Sequence, residues 1–147
     1  FARTLDSLVH AGSPEVQVIF YMTWGHRNGC RQPVASYPPI NNYEMMQARL
    51  ITSYLEMTYD NDAWCAPVGM AWRQVRAEHP DWDLYRKDNF HPSPIGSYLA
   101  ANVIFTTIFR KPYQTEVRAK LPREQAEYLQ HLAQQTVLDN LVLLNIR

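Results

Sequence analysis

The sequence has little of what would settle its class at a glance. It carries only two cysteines in 147 residues, Cys30 and Cys65, too few for a disulfide scaffold and not at the spacing of a metal-ligand pair. One disulfide and two free thiols both fit. There is no surplus of either charge, with 14 Lys and Arg against 14 Asp and Glu, so the basic footprint that neutralises phosphates is missing. No nucleic-acid partner is expected. No apolar run approaches the ~20 residues that cross a bilayer, and no membrane span is expected. The five glycines form neither a phosphate-binding loop nor a dinucleotide fingerprint, and no His, Cys and carboxylate cluster has metal-ligand spacing. Neither a metal nor an organic cofactor is called for.

What is present is a composition able to fold. Hydrophobic residues make up 46% and charged residues 19% of the chain, a balance that disfavours disorder. The length suits a single domain, residues 1–147, around one core of ordinary size. The chain opens on Phe1, and its first residues read as the end of an amphipathic helix rather than as a signal peptide, so further sequence upstream is expected.

The hydrophobic pattern alternates between two periods. Leu5, Leu8 and Val9 share one helical face, and Gly12-Ser13-Pro14 stops that helix. Residues 16–24, VQVIFYMTW, are nearly continuous, β-branched and aromatic, the composition of a central parallel strand covered on both faces. Residues 25–42 are rich in Gly, Pro, Ser and Asn and read as a long loop. Loops beyond about 12–15 residues are usually functional or disordered. A helix over 43–59 follows, with Tyr43, Met46, Leu50, Tyr54 and Met57 on its apolar stripe. Residues 63–68 suggest a short strand and 70–78 a helix ending before Pro80. Ser93-Pro94 is a helix opening, Ser as N-cap and Pro at the first helical position, for a helix that ends before Pro112. A last helix runs from Pro122 through Val137, and residues 138–147 have no assignment.

Strand alternating with helix argues for an α/β fold with a parallel sheet. Yet only about two strands are convincing, where sheets commonly have about 4 to 6. A part of the sheet is missing from the pattern.

The residues suited to chemistry lie just before the Ser93-Pro94 opening. Asp88 stands three residues ahead of His91 in a loop stiffened by Pro92 and Pro94. A carboxylate that holds one ring nitrogen of a histidine leaves the other free to act as a general base. The same spacing also occurs in ordinary surface loops, so D-x-x-H alone decides nothing.

The surrounding block, DNFHPSPIGSYLAANVIF over residues 88–105, resembles the last motif block of the SGNH (GDSL-like) hydrolases. Residues 18–29, VIFYMTWGHRNG, together with YEMMQARL at 43–50 and APVGMAW at 66–72, resemble the late strands and helices of a bacterial branch of that family. The resemblance covers about residues 1–138 in the right order. It implies a flavodoxin-like three-layer α/β/α fold with a parallel sheet, and a serine esterase or acetylesterase in which Asp88 and His91 complete a Ser-His-Asp triad. Carbohydrate esters are the implied substrate class and an exported, secreted or periplasmic protein the implied setting. Ligands of open α/β sheets bind beyond the carboxyl ends of the strands, so Trp24, Gly25, Arg27 and Asn28 are candidate substrate-binding residues. Trp24 is either a stacking platform for a sugar or acyl group or a large core residue at a strand end.

The family's nucleophile block, G-D-S or G-N-S on a tight strand-to-helix turn, is not recognisable here. Ser7, Ser13, Ser36, Ser53, Ser93 and Ser97 all lack that turn. The missing nucleophile and the missing strands have a common explanation: the chain corresponds to the C-terminal portion of such a domain, completed by an N-terminal half or by another chain. Alone it is expected to be inactive. The alternative is a non-catalytic α/β binding or assembly module that retains the block as a relic.

Overall fold

The computed structural model describes residues 1–30 and 39–147. Residues 31–38 of the loop expected over 25–42, Ser36 included, lie outside the described residues. Among the described residues the architecture is mixed α/β, with five helices and a small parallel sheet in the order α1 (Ala2–Gly12), β1 (Ile19–Tyr21), α2 (Tyr43–Asp60), β2 (Trp64–Ala66), α3 (Val68–Glu78), α4 (Pro94–Phe109) and α5 (Arg123–Leu138). No helix among the described residues is long and apolar enough to cross a membrane.

The two strands pair in parallel, Ile19 with Trp64, Phe20 with Cys65 and Tyr21 with Ala66. A parallel pair needs a crossover, and α2 supplies it. Asn42 opens that helix by accepting the Met45 N–H at 2.8 Å, the usual service of an N-cap side chain. After β2 the chain turns into α3 at once. Gly69 donates its N–H to the Met22 carbonyl at 3.0 Å, and a Cβ there would fall 2.3 Å from the Thr23 oxygen. The start of α3 is thereby pressed against the end of β1.

The core lies among α3, α4, α5 and β2, where Cys65, Val68, Trp72, Val75, Leu99, Val103, Leu129 and Val137 are fully buried. α4 is apolar on nearly every side and packs along α5. Ser93 caps it as the sequence suggests, accepting the Gly96 N–H at 3.2 Å and donating its hydroxyl to the Asp83 carbonyl at 2.6 Å. The helix ends on Arg110, whose φ of 52° is left-handed.

One expectation needs correction. β1 is three residues long, contains no buried residue and pairs on one side only, so residues 16–24 do not form a central strand. Among the described residues no third strand covers its other edge. The Leu5, Leu8 and Val9 face of α1 is not core: these side chains are 63%, 65% and 44% exposed and the helix buries nothing. The unassigned tail is structural, because Leu144 and Ile146 are buried and the Leu144 carbonyl accepts the Cys65 N–H at 3.1 Å on the outer side of β2. Both cysteines are free thiols, and burial pushes the Cys65 thiol up to about 11.

Gly96 provides a direct test of how the helices are spaced. A Cβ there would meet the Leu84 oxygen and the Trp72 ring, each at 2.4 Å. Backbone oxygen and a packed indole yield little, so Gly96→Ala is expected to destabilise the chain by about 2–3 kcal/mol. Gly12→Ala, with nothing within 4 Å, is expected to change stability by less than about 1 kcal/mol. Urea unfolding midpoints of the two variants check the contrast.

Candidate active site

The segment between α3 and α4 is a short hairpin-like loop. Tyr85 and Pro92 form an isolated antiparallel bridge, Arg86 donates its N–H to the His91 carbonyl at 2.9 Å, and Ser93 donates to Leu84 at 2.9 Å. At its tip the chain must reverse, and Asn89 does so at φ 61°, a left-handed conformation that Asn accepts more readily than most residues.

Asp88 organises the tip. Its Oδ1 accepts the N–H groups of Phe90 and His91, both at 2.9 Å, and its Oδ2 lies 2.8 Å from His91 Nδ1. The His91 ring bond above all, and then the two backbone N–H groups, lower the Asp88 carboxyl from its ordinary 3.8 to about 2. An ionised carboxylate can only accept, so His91 Nδ1 carries the proton and Nε2 of the neutral ring is left as an acceptor. No described residue bonds Nε2. His91 and Asp88 are 60% and 47% exposed at the side chain, so the free nitrogen is open to whatever approaches.

The loop is held from behind by the segment that follows β1. Trp24 donates its indole N–H to the Phe90 carbonyl at 3.1 Å, and the Arg27 N–H donates to Asn89 at 3.0 Å. Each residue is itself fixed. Trp24 stacks on Trp72 with ring centroids 4.1 Å apart and planes 5° from parallel. Arg27 pairs with Asp83 and lies over the Tyr85 ring at 4.9 Å. Partial burial alone would raise the Asp83 carboxyl, but the Tyr85 N–H and the Arg27 guanidinium outweigh it and hold it below the usual range. Gly25 is buried against α2: its N–H donates to Gln47 at 2.9 Å, and its carbonyl accepts the Tyr85 hydroxyl at 2.7 Å.

Of the residues singled out in the sequence, Asp88 and His91 are in direct contact. Trp24, Gly25 and Arg27 lie beside or beneath their loop and make polar contacts within the chain, while the buried Arg27 Nε has no hydrogen-bond partner among the described residues. Asn28 is exposed in the turn after Arg27. Phe90 and His26 extend the surface, with Phe90 edge-on to both the His26 ring at 4.5 Å and the His91 ring at 4.6 Å. Sequence reasoning missed the supports: Trp72, Asp83, Tyr85 and the fully buried Gln47. Their partners are 22 to 60 residues distant along the chain, so no local pattern marks them. Away from this loop, His79 stacks on Trp82 at 3.9 Å and meets Tyr128 edge-on at 4.4 Å.

Two concavities of about 820 and 720 Å³ lie along the 112–119 segment beside α4 and α5, and neither is lined by Asp88 or His91. Among the described residues no serine hydroxyl bonds His91: Ser93 is committed to its cap and Ser7 to the Arg3 carbonyl. No group of three or more His, Cys, Asp and Glu among the described residues is placed to hold a metal ion. No family model, no curated protein and no solved structure matches the chain.

The low Asp88 value has a sign that can be measured. Its folded value lies below its ordinary 3.8, so the stabilisation it brings is fully present above pH 4 or so and is lost as pH falls through about 2. The ¹³C carboxyl titration of Asp88 is expected to have its midpoint there. Asp88→Asn keeps an oxygen for the two backbone N–H groups but cannot accept Nδ1–H. It should leave the loop's backbone shifts in place while the downfield His91 Nδ1 proton signal disappears; Asp88→Ala should disturb both.

Proposed function

We propose that Asp88 and His91 are the acid and base of a serine ester hydrolase of the SGNH type, with esters, carbohydrate esters among them, as substrates. The observation that carries this reading is the 2.8 Å contact of Asp88 Oδ2 with His91 Nδ1, made by a carboxylate whose other oxygen is pinned by two backbone N–H groups. Such a pair presets the histidine tautomer and orientation, the service a triad carboxylate performs. The parallel crossover from β1 through α2 to β2 suits the last two strands of a flavodoxin-like sheet of about five.

In this reading the nucleophilic serine comes from polypeptide outside the described residues. Its Oγ attacks the ester carbonyl as His91 Nε2 takes the hydroxyl proton. The imidazolium is stabilised by Asp88 and then delivers the proton to the leaving alcohol oxygen, giving an acyl-serine. Water, deprotonated by the same nitrogen, releases the acid and regenerates the serine. Trp24 and Arg27 serve this chemistry from behind, by holding the Phe90 and Asn89 carbonyls and so the loop that carries His91.

The 147-residue chain by itself is expected to show no turnover of p-nitrophenyl acetate and no labelling by a serine-directed fluorophosphonate. The protein purified from its natural source is expected to be labelled on a serine outside these residues, and His91→Ala to abolish the labelling. Turnover by the isolated chain that His91→Ala removes would overturn the external serine. Failure of the natural protein to label would favour the binding or assembly module.

A further inference from the structure

The two edges of the sheet are treated differently. The Trp64 N–H donates to Val18 and the Met22 N–H to Ala66, so with the observed register the backbone groups of Val18, Phe20 and Met22 turn toward β2. Those of Ile19 and Tyr21 turn the opposite way, since strand residues alternate in the direction of their N–H and C=O. On the outer side of β2 the corresponding amide, that of Cys65, is taken by the Leu144 carbonyl at 3.1 Å. On the outer side of β1 no described residue takes the amides or carbonyls of Ile19 and Tyr21.

An edge left open in this way is normally guarded by charged residues, proline or a bulge. Residues 16–24, VQVIFYMTW, contain no charge and no proline, and no bulge interrupts the register. The side chains point to the same lack of cover. Val16 and Tyr21 are 40% and 39% exposed and nothing in β1 is buried, although the composition suits a strand enclosed on both faces. A row of unpaired N–H and C=O groups flanked by apolar side chains is complementary to one structure, another extended backbone.

We infer that the outer edge of β1 is completed at Ile19 and Tyr21 by an extended strand of the polypeptide that brings the serine to His91. The inference rests on the hydrolase reading for the identity of that polypeptide. A second copy of the described residues would satisfy the edge but would leave His91 without its nucleophile, which is why the occupant is a different segment.

Residue-resolved amide hydrogen exchange tests this. In the isolated chain the Ile19 and Tyr21 amides are expected to exchange freely while Phe20 is protected. In the fluorophosphonate-labelled protein from its natural source, Ile19 and Tyr21 are expected to slow by at least about 100-fold. Labelled protein in which these two amides still exchange freely overturns the strand and leaves the hydrolase standing. Slowed exchange in a natural protein that does not label supports the strand and overturns the hydrolase. Slow exchange already present in the isolated chain overturns the inference, through cover by the chain itself if independent of concentration and through self-pairing if it rises with concentration. Ile19→Pro removes an outward amide without taking a described hydrogen bond, and Ile19→Ala is the control for the half-buried side chain lost with it. The isolated Pro variant should melt as the isolated Ala variant does, while in the natural protein only the Pro variant loses fluorophosphonate labelling.

Discussion

The contact between Trp72 and Gly96 is the constraint on which the site depends. Trp72 is fully buried on α3, and α4 approaches it so closely that there is no room for a Cβ at Gly96. The same indole stacks on Trp24, in the segment after β1, and meets Tyr85 edge-on at 5.2 Å in the segment before the Asp88 loop. One side chain therefore sets the spacing of two helices and of both segments that carry the candidate site. Aromatic pairs contribute about 0.5–1.5 kcal/mol each beyond the area they bury, whereas a single hydrogen bond such as Trp24 to Phe90 contributes about 1 kcal/mol net. The stacked core places the loop; the hydrogen bonds choose its orientation.

The local chemistry at the loop tip is of another kind. Asp88 and His91 are exposed, so their pairing adds little to stability, and its value is geometric. A carboxylate with three donors has one arrangement, and the imidazole follows it. An exposed, preset histidine beside no described serine is consistent with half of a site. The outer edge of β1, which no described residue covers, is consistent with part of a larger sheet in the same sense. Both are places where the chain has prepared backbone or side-chain groups and uses none of its own described residues to meet them.

Much of the fold was legible along the chain because it is governed by short-range rules. Helical periodicity locates α2, α4 and α5 within a residue or two, and Ser93-Pro94 marks the start of α4 through a capping bond that spans three residues. The error at residues 16–24 has a physical origin. An apolar, β-branched run reports the burial a strand is suited to, not the burial it receives, and among the described residues nothing covers the outer side of β1. The exposed α1 face has the same origin: periodicity shows which residues share a face and is silent on what lies opposite.

The candidate site divides along the same line. The sequence by itself put Asp88 and His91 within reach of each other, three residues apart in one loop segment, and the structure decided that they pair. The sequence also determined where α4 begins, and hence that the loop must end at Ser93. Only the tertiary structure decided that Trp24, Gly25 and Arg27 serve as supports, since their partners at Phe90, Gln47, Asp83 and Asn89 lie at least 22 residues away. Hydrogen bonds and ring contacts over such separations depend on how α3 and α4 pack. That packing is set by volumes that meet in space, Trp72 against Gly96, and no local pattern records them.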